Sequence, residues 1–292
     1  MCRLNPRIDF VFKKLFGTEE NKDVLIDFIN AFVSEEDKVR DIVIKNPYNE
    51  KDFSDDKLSI LDIKAQDLAG KWFNIEMQMI DQEYYAKRAL YYWSRLYVSQ
   101  LSSGVNYDKL EKTIGINILN FNCLDEDEAE YHNVYKLINV RSGNELIRQM
   151  EIHFVELEKY DENISNVMDR WVNFLKKAGE YTKTDMPSQL KEIPTISKAL
   201  EVLENMRLSE REREQFEARL QWLRDEKAAI ASAERRGLEK GIAKGIAKGM
   251  EKEKYDVALN ALKEGADVDF IVKITGLGED EVLKIKEAHN KT

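Results

Sequence analysis

The sequence predicts an α/β protein, a mixed sheet flanked by helices and followed by a long helical C-terminal region. Three observations lead there. Two stretches near the N-terminus, residues 58–65 and 72–79, alternate in polarity at the period of a strand. Helical patterns precede and follow them, and a β-branched run at 113–123 comes next, so helices and strands interleave. From about Asn163 onward the pattern is almost wholly helical and rich in charge.

The elements follow in chain order. Residues 6–16 place Ile8, Val11, Phe12, Leu15 and Phe16 on one helical face, and Gly17 ends the run. A second helix carries Val24, Leu25, Phe28, Ile29 and Phe32. Residues 39–44 read as a first strand, and the polar segment 47–57 as a loop. In the stretch 58–65, Ile60, Asp62 and Lys64 share a face, with Leu61, Ile63 and Ala65 opposite. In 72–79, Asn74, Glu76 and Gln78 share a face, with Phe73, Ile75, Met77 and Met79 opposite. Asp67 and Gly70 supply turn chemistry between the two. Residues 84–101 form an aromatic helix closed by Gly104. Residues 113–123 form a buried strand, and 131–140 and 150–157 extend the sheet.

Residues 207–236 read as a charged amphipathic helix. A four-residue repeat follows, Gly237-Leu-Glu-Lys, Gly241-Ile-Ala-Lys, Gly245-Ile-Ala-Lys, Gly249-Met-Glu-Lys. Each glycine in a helix costs about 1 kcal/mol against alanine. The repeat is therefore either a helix whose glycines admit a close neighbour or a linker. Three short helices close the chain, a module that reads DNA in some proteins and only packs in others. The expected organisation is a core over 1–160, a helical extension over 161–236, the repeat over 237–254 and the small module over 255–292.

Composition bounds the function. The 292 residues carry a net charge of −10, which argues against indiscriminate nucleic-acid binding. The charge is uneven: residues 125–162 hold eleven acidic and four basic side chains, whereas 207–254 hold ten and thirteen. Local basic surface can thus coexist with an acidic total. Cys2 and Cys123 make no disulfide or metal pattern, which fits a reducing cytoplasm. No leader-like or membrane-length apolar run is visible, so no membrane partner is expected. His132 and His153 fall in strands and read as structural, not as zinc ligands.

The chemistry points to the strand pair. If Asp62 and Glu76 meet across the hairpin, two carboxylates converge on an apolar sheet. That is costly without a cation or a proton between them. Oxygen donors of this kind suit Mg²⁺, which activates water and clamps a phosphate oxygen. Arg88 and Tyr92, four apart on one helix face, are placed to touch a phosphate, or else form an ordinary amphipathic surface.

The motifs Asp9-Phe-Val-Phe-Lys-Lys-Leu-Phe-Gly17, Leu61-Asp-Ile-Lys-Ala65, Asn74-Ile-Glu-Met-Gln78 and Lys87-Arg-Ala-Leu-Tyr-Tyr92 occur in that order. This set resembles the PD-(D/E)XK nuclease family transposases, also called recombination-promoting nucleases. The likeness covers about residues 5–160. It implies a restriction-endonuclease-like core that cleaves DNA phosphodiesters with Mg²⁺. By resemblance Asp62 and Glu76 are metal-binding and catalytic, Asp9 is a further acidic ligand on the first helix, and Gln78 is the last position of the motif. The wider superfamily has lysine at that position. Gln78 is uncharged, so Lys64, on the face of Asp62, is the candidate substitute.

The leading expectation is a Mg²⁺-dependent DNA endonuclease. The alternative is a non-catalytic DNA-binding or assembly protein that keeps the fold. A homodimer through the 207–254 helix is an added expectation.

Overall fold

A computed structural model describes residues 4–45, 48–49, 59–60, 62–81, 83–124, 129–182 and 185–289, with 48–49 and 59–60 described in backbone alone. Most of the predicted 47–57 loop, together with Leu58 and Leu61, lies outside the described residues.

The first helices are α1 (Asp9–Phe16) and α2 (Lys22–Phe32). The strands β1 (Ile42–Lys45), β2 (Tyr48–Asn49), β3 (Ser59–Ile60), β4 (Ile63–Asp67) and β5 (Trp72–Gln78) follow. Then come α3 (Tyr85–Val98), β6 (Thr113–Leu119), β7 (His132–Tyr135) and β8 (Met150–Glu156). The helices α4 (Val167–Lys177), α5 (Ser188–Lys191), α6 (Pro194–Asn205), α7 (Glu210–Lys263), α8 (Val268–Thr275) and α9 (Glu279–His289) complete the chain.

Six strands form one mixed sheet in the order β1-β4-β5-β6-β8-β7, and β2 pairs with β3 apart from it. The β1/β4, β4/β5 and β7/β8 pairs are antiparallel, whereas β5/β6 and β6/β8 are parallel. A parallel neighbour requires a crossover, and α3 supplies it between β5 and β6. The predicted first strand of the hairpin is shorter than the alternation suggested. Its regular part begins at Ile63, and Asp62 stands in a bend ahead of it.

Register divides the sheet into two unlike faces. Trp72 pairs with Thr113 and Thr113 with Met150. Asn74, Glu76, Gly115, Asn117, Ile152 and Phe154 therefore share one face. The α3 side chains Tyr85, Ala89 and Trp93 pack there with Leu119, Phe121, Ile152 and Phe154. The opposite face carries Phe73, Ile75, Ile114, Ile116 and Ile118, all buried. An aromatic cluster adjoins them: Phe28 lies 4.8 Å from Phe16 and 5.4 Å from Trp171, centroid to centroid. The Trp171 indole and the Thr195 hydroxyl both donate to the Asp27 carboxylate, at 3.0 and 2.8 Å, tying α4 and α6 to α2. With helices over both faces, every residue of β6 is buried.

The chain divides into two compact units, Met1–Leu220 and Gln221–Thr292. The glycine repeat is helical and lies inside the 54-residue α7. In the second unit Ala258, Ile271, Val282 and Ile285 form a small core, and Gly276 makes the left-handed turn between α8 and α9 (φ 68°). No helix among the described residues is long and apolar enough to cross a membrane.

Candidate active site

The β4/β5 register pairs Ile63 with Ile75, so the ladder extended by one residue sets Asp62 opposite Glu76. The meeting inferred from alternation is thus made, although Asp62 reaches it from a bend. Asp62 is locked on both oxygens: Oδ2 accepts from the Met77 backbone N–H at 2.8 Å, and Oδ1 faces Lys13 Nζ at 3.1 Å. The Asp62 backbone and the Asn74 amide lie beside the Glu76 carboxyl and counter the rise in its pKa.

Neither acid is a solvated surface group. Glu76 is 2% exposed and the Asp62 side chain 9%. Burial pushes the Asp62 carboxyl above the usual carboxylate range, and the Lys13 ammonium works against that shift. Burial, then the Asp62 charge, pushes Glu76 higher still, and the Arg88 charge works against the shift. Glu76 Oε1 and Asn74 Oδ1 are buried without a hydrogen-bond partner. A buried acceptor left unmade costs about 1–3 kcal/mol, so the pair is arranged for a donor or cation that the chain does not supply.

The remaining predicted residues fall as follows. Gln78 is half-buried on the Glu76 side of β5. Asp9 raises the Asp62 carboxyl further through its charge, yet it stands apart from the pair and has Arg219 Nε at 3.7 Å from its Oδ1. Lys64 lies along the sheet from the acids, with Nζ 5.2 Å from the Trp72 ring centroid. Arg88 stands over both Tyr85 and Tyr92, each centroid 5.3 Å from its guanidinium carbon.

Three neighbours of the pair stand outside the predicted site residues. Lys13 follows Asp9 by four residues and so shares its helix face, a spacing that could have marked it. Asn74 shares the Glu76 face, as alternation predicts. Tyr85, at the start of the aromatic helix, is buried beside the acids, and its hydroxyl donates to Asn117 Oδ1 at 3.0 Å. Burial and then the Glu76 charge hold that phenol well above its ordinary pKa, so it stays a donor.

Among the described residues no three or more His, Cys, Asp and Glu side chains stand close enough together to hold a metal ion. The Asp62–Glu76 pair is the buried carboxylate pair that the described residues bring together. Mg²⁺ is commonly held by one or two carboxylates with waters and phosphate oxygens completing its shell. The orphaned Glu76 Oε1 and the all-oxygen donor set fit such an ion.

The sequence model of the PD-(D/E)XK nuclease family transposases matches residues 6–233. No curated protein matches the chain, and no solved structure does.

Proposed function

The chain belongs to the PD-(D/E)XK nuclease family transposases, a membership that fits its mixed sheet to a restriction-endonuclease-like fold, and we propose that it hydrolyses DNA phosphodiester bonds at the Asp62–Glu76 pair. The observation that carries this reading is the buried pair itself, with Glu76 Oε1 lacking any partner. When bound, a divalent cation such as Mg²⁺ activates water and offsets charge on the scissile phosphate.

The chain's own residues do the positioning. The Met77 N–H and Lys13 fix the Asp62 carboxylate, and the Asn74 amide beside Glu76 favours its charged form. Both acids hold the cation. Gln78, further along the same strand, orients the attacking water by hydrogen bonding. Lys13 provides a positive charge beside the pair that Gln78 lacks, and we prefer it to Lys64 because it already touches Asp62. Arg88 and Tyr92 on α3, with Lys87 on the same helix, meet the DNA backbone. Asp9 acts through its charge on Asp62. The protein works as a soluble DNA-processing enzyme of the cytoplasm.

The test is plasmid nicking by wild type and Asp62→Ala, with Mg²⁺ and with EDTA. Cleavage that requires both the ion and Asp62 is expected. Retained DNA binding with no cleavage by the wild type would replace this reading with a non-catalytic DNA-binding role. Lys13→Met and Lys64→Ala, run in parallel, assign the lysine: the first is expected to slow cleavage ten-fold or more and the second to leave it unchanged.

A further inference from the structure

β7 is the last strand of the six-stranded sheet, and among the described residues no strand pairs with its outer edge. The Glu156 N–H donates to the Tyr131 carbonyl at 2.7 Å. β7 runs antiparallel to β8, with His132 opposite Val155 and Tyr135 opposite Ile152. In an antiparallel ladder, residues that exchange bonds alternate with residues that do not. Tyr131, Asn133 and Tyr135 therefore bond inward to β8. His132 and Val134 turn their N–H and C=O groups away from the sheet.

The side chains around this edge are largely apolar, with Lys136 turned back toward Glu145 and Glu151. Val134 is 44% exposed and Tyr135 38%, and Leu137 and Ile138 continue the apolar surface. Natural edges are usually blunted by proline, by inward charge or by a covering element. The segment 131–138 has no proline, and its single charged residue is Lys136.

We propose that β7 pairs antiparallel with β7 of a second copy of this chain about a two-fold axis at Asn133. The pattern of residues selects that partner and that register. Centred on Asn133, His132 of each copy meets Val134 of the other, and the outward groups form four inter-chain hydrogen bonds. The same register sets the exposed Glu130 opposite Lys136, whose ammonium also faces Glu145 at 3.0 Å and Glu151 at 3.5 Å, and Tyr131 opposite Tyr135, each pair occurring twice. Opposite charges and aromatic pairs directly across a ladder are the favourable combinations. A centre one residue away at Val134 sets Glu130 opposite Ile138 and loses the charge pair. The two sheets then join into one of twelve strands. This interface lies in the first compact unit and does not involve the glycine repeat of α7.

Sedimentation and light scattering of the full chain test the proposal. The wild type is expected at twice the chain mass. Val134→Pro removes an outward N–H and leaves the β8 ladder intact. It is expected to weaken the dimer at least ten-fold with unchanged circular dichroism. Asn133→Cys, on a chain with Cys2→Ser and Cys123→Ser, is expected to form an inter-chain disulfide on oxidation. Paired residues at a non-hydrogen-bonded position stand within disulfide reach, so this variant decides the matter even if the proline variant does not fold. A wild type at single-chain mass across the concentration range overturns the proposal. So does a dimer that survives Val134→Pro and gives no cross-link. Dissociation only by Ile242→Lys with Ile246→Lys overturns it too, and moves the contact to α7.

Discussion

At the scale of single residues, Glu76 carries the clearest conflict between stability and chemistry. Its carboxyl is buried, is raised by burial and by Asp62, and has one oxygen without a partner. Glu76→Gln removes the buried charge and keeps the shape. It is expected to raise stability by about 1–3 kcal/mol in EDTA, because a neutral amide is cheaper to bury than a lone carboxylate. It is also expected to abolish cleavage. Thermal melting gives a second reading: Mg²⁺ raises the wild-type midpoint and leaves that of Glu76→Gln unmoved. Equal stability of the two proteins without metal would show that Glu76 is already neutralised. The acid pair was legible in the sequence because strand alternation places Asn74, Glu76 and Gln78 on one face whatever the surroundings. Lys13 is legible only in part: its spacing from Asp9 gives the helix face, but only the packing of α1 brings it to Asp62, far along the chain. Lys64 illustrates the limit of alternation: it gives the face of a side chain but not its direction along the strand, and Lys64 extends toward Trp72.

At the scale of elements, the sheet face away from α3 holds a second buried polar cluster. His153 bridges His132 (2.8 Å) and Glu151 (2.8 Å), and Lys112 joins Glu151 to Asp37. Burial, reinforced by His153, lowers the His132 pKa to about 4. Burial alone would raise Glu151, but the bonds from His153 and Lys112 hold it at about 2. Both folded values are depressed, so both groups stabilise the fold fully above their unfolded pKa values and less as the medium acidifies. For His132 the loss falls between about pH 6.5 and pH 4, and for Glu151 it falls lower, from about pH 4.5 toward pH 2. His132→Asn is therefore expected to flatten the fall in melting temperature between pH 6.5 and 4. A slope identical to wild type would assign the acid sensitivity elsewhere. The sequence placed both histidines in strands but could not reveal their contact, which depends on the β7/β8 register. The glycine repeat shows the same limit in α7. The sequence left helix and linker open, and the chain forms a helix there. A Cβ at Gly237, Gly241, Gly245 or Gly249 would meet no atom within 4 Å. Gly241→Ala with Gly245→Ala is expected to stabilise the helix by about 1 kcal/mol per site. A loss of helicity or of stability would mean that another helix sits in the glycine groove.

At the scale of the whole molecule, charge decides how the protein meets DNA. Residues 221–292 carry fourteen basic and fourteen acidic side chains, so the net charge of −10 belongs to residues 1–220, which also hold the candidate site. A strongly acidic unit repels a polyanion at long range, and contact must come from a few local cations. The clearest local source is α3, which carries Lys87, Arg88 and Arg95 and no acid. Arg88 already offsets Glu76, which leaves few charges for phosphate. Each phosphate neutralised contributes about 0.9 to the fall of log K with log salt on duplex DNA. With those three cations and Lys13 as the local positive charge among the described residues, the slope is expected to be shallow, about −2 to −3 in EDTA. Lys87→Gln is expected to reduce it by about 0.9 without changing the melting temperature, because Lys87 is exposed with its ammonium over the Tyr84 ring face. A slope much steeper than this would place the DNA on a broader basic surface, and the lysine row of the glycine repeat, Lys240, Lys244, Lys248 and Lys252, would become the first place to mutate. A shallow slope would instead confine recognition to the site and to α3, so that cleavage, not affinity, sets which DNA the protein acts upon.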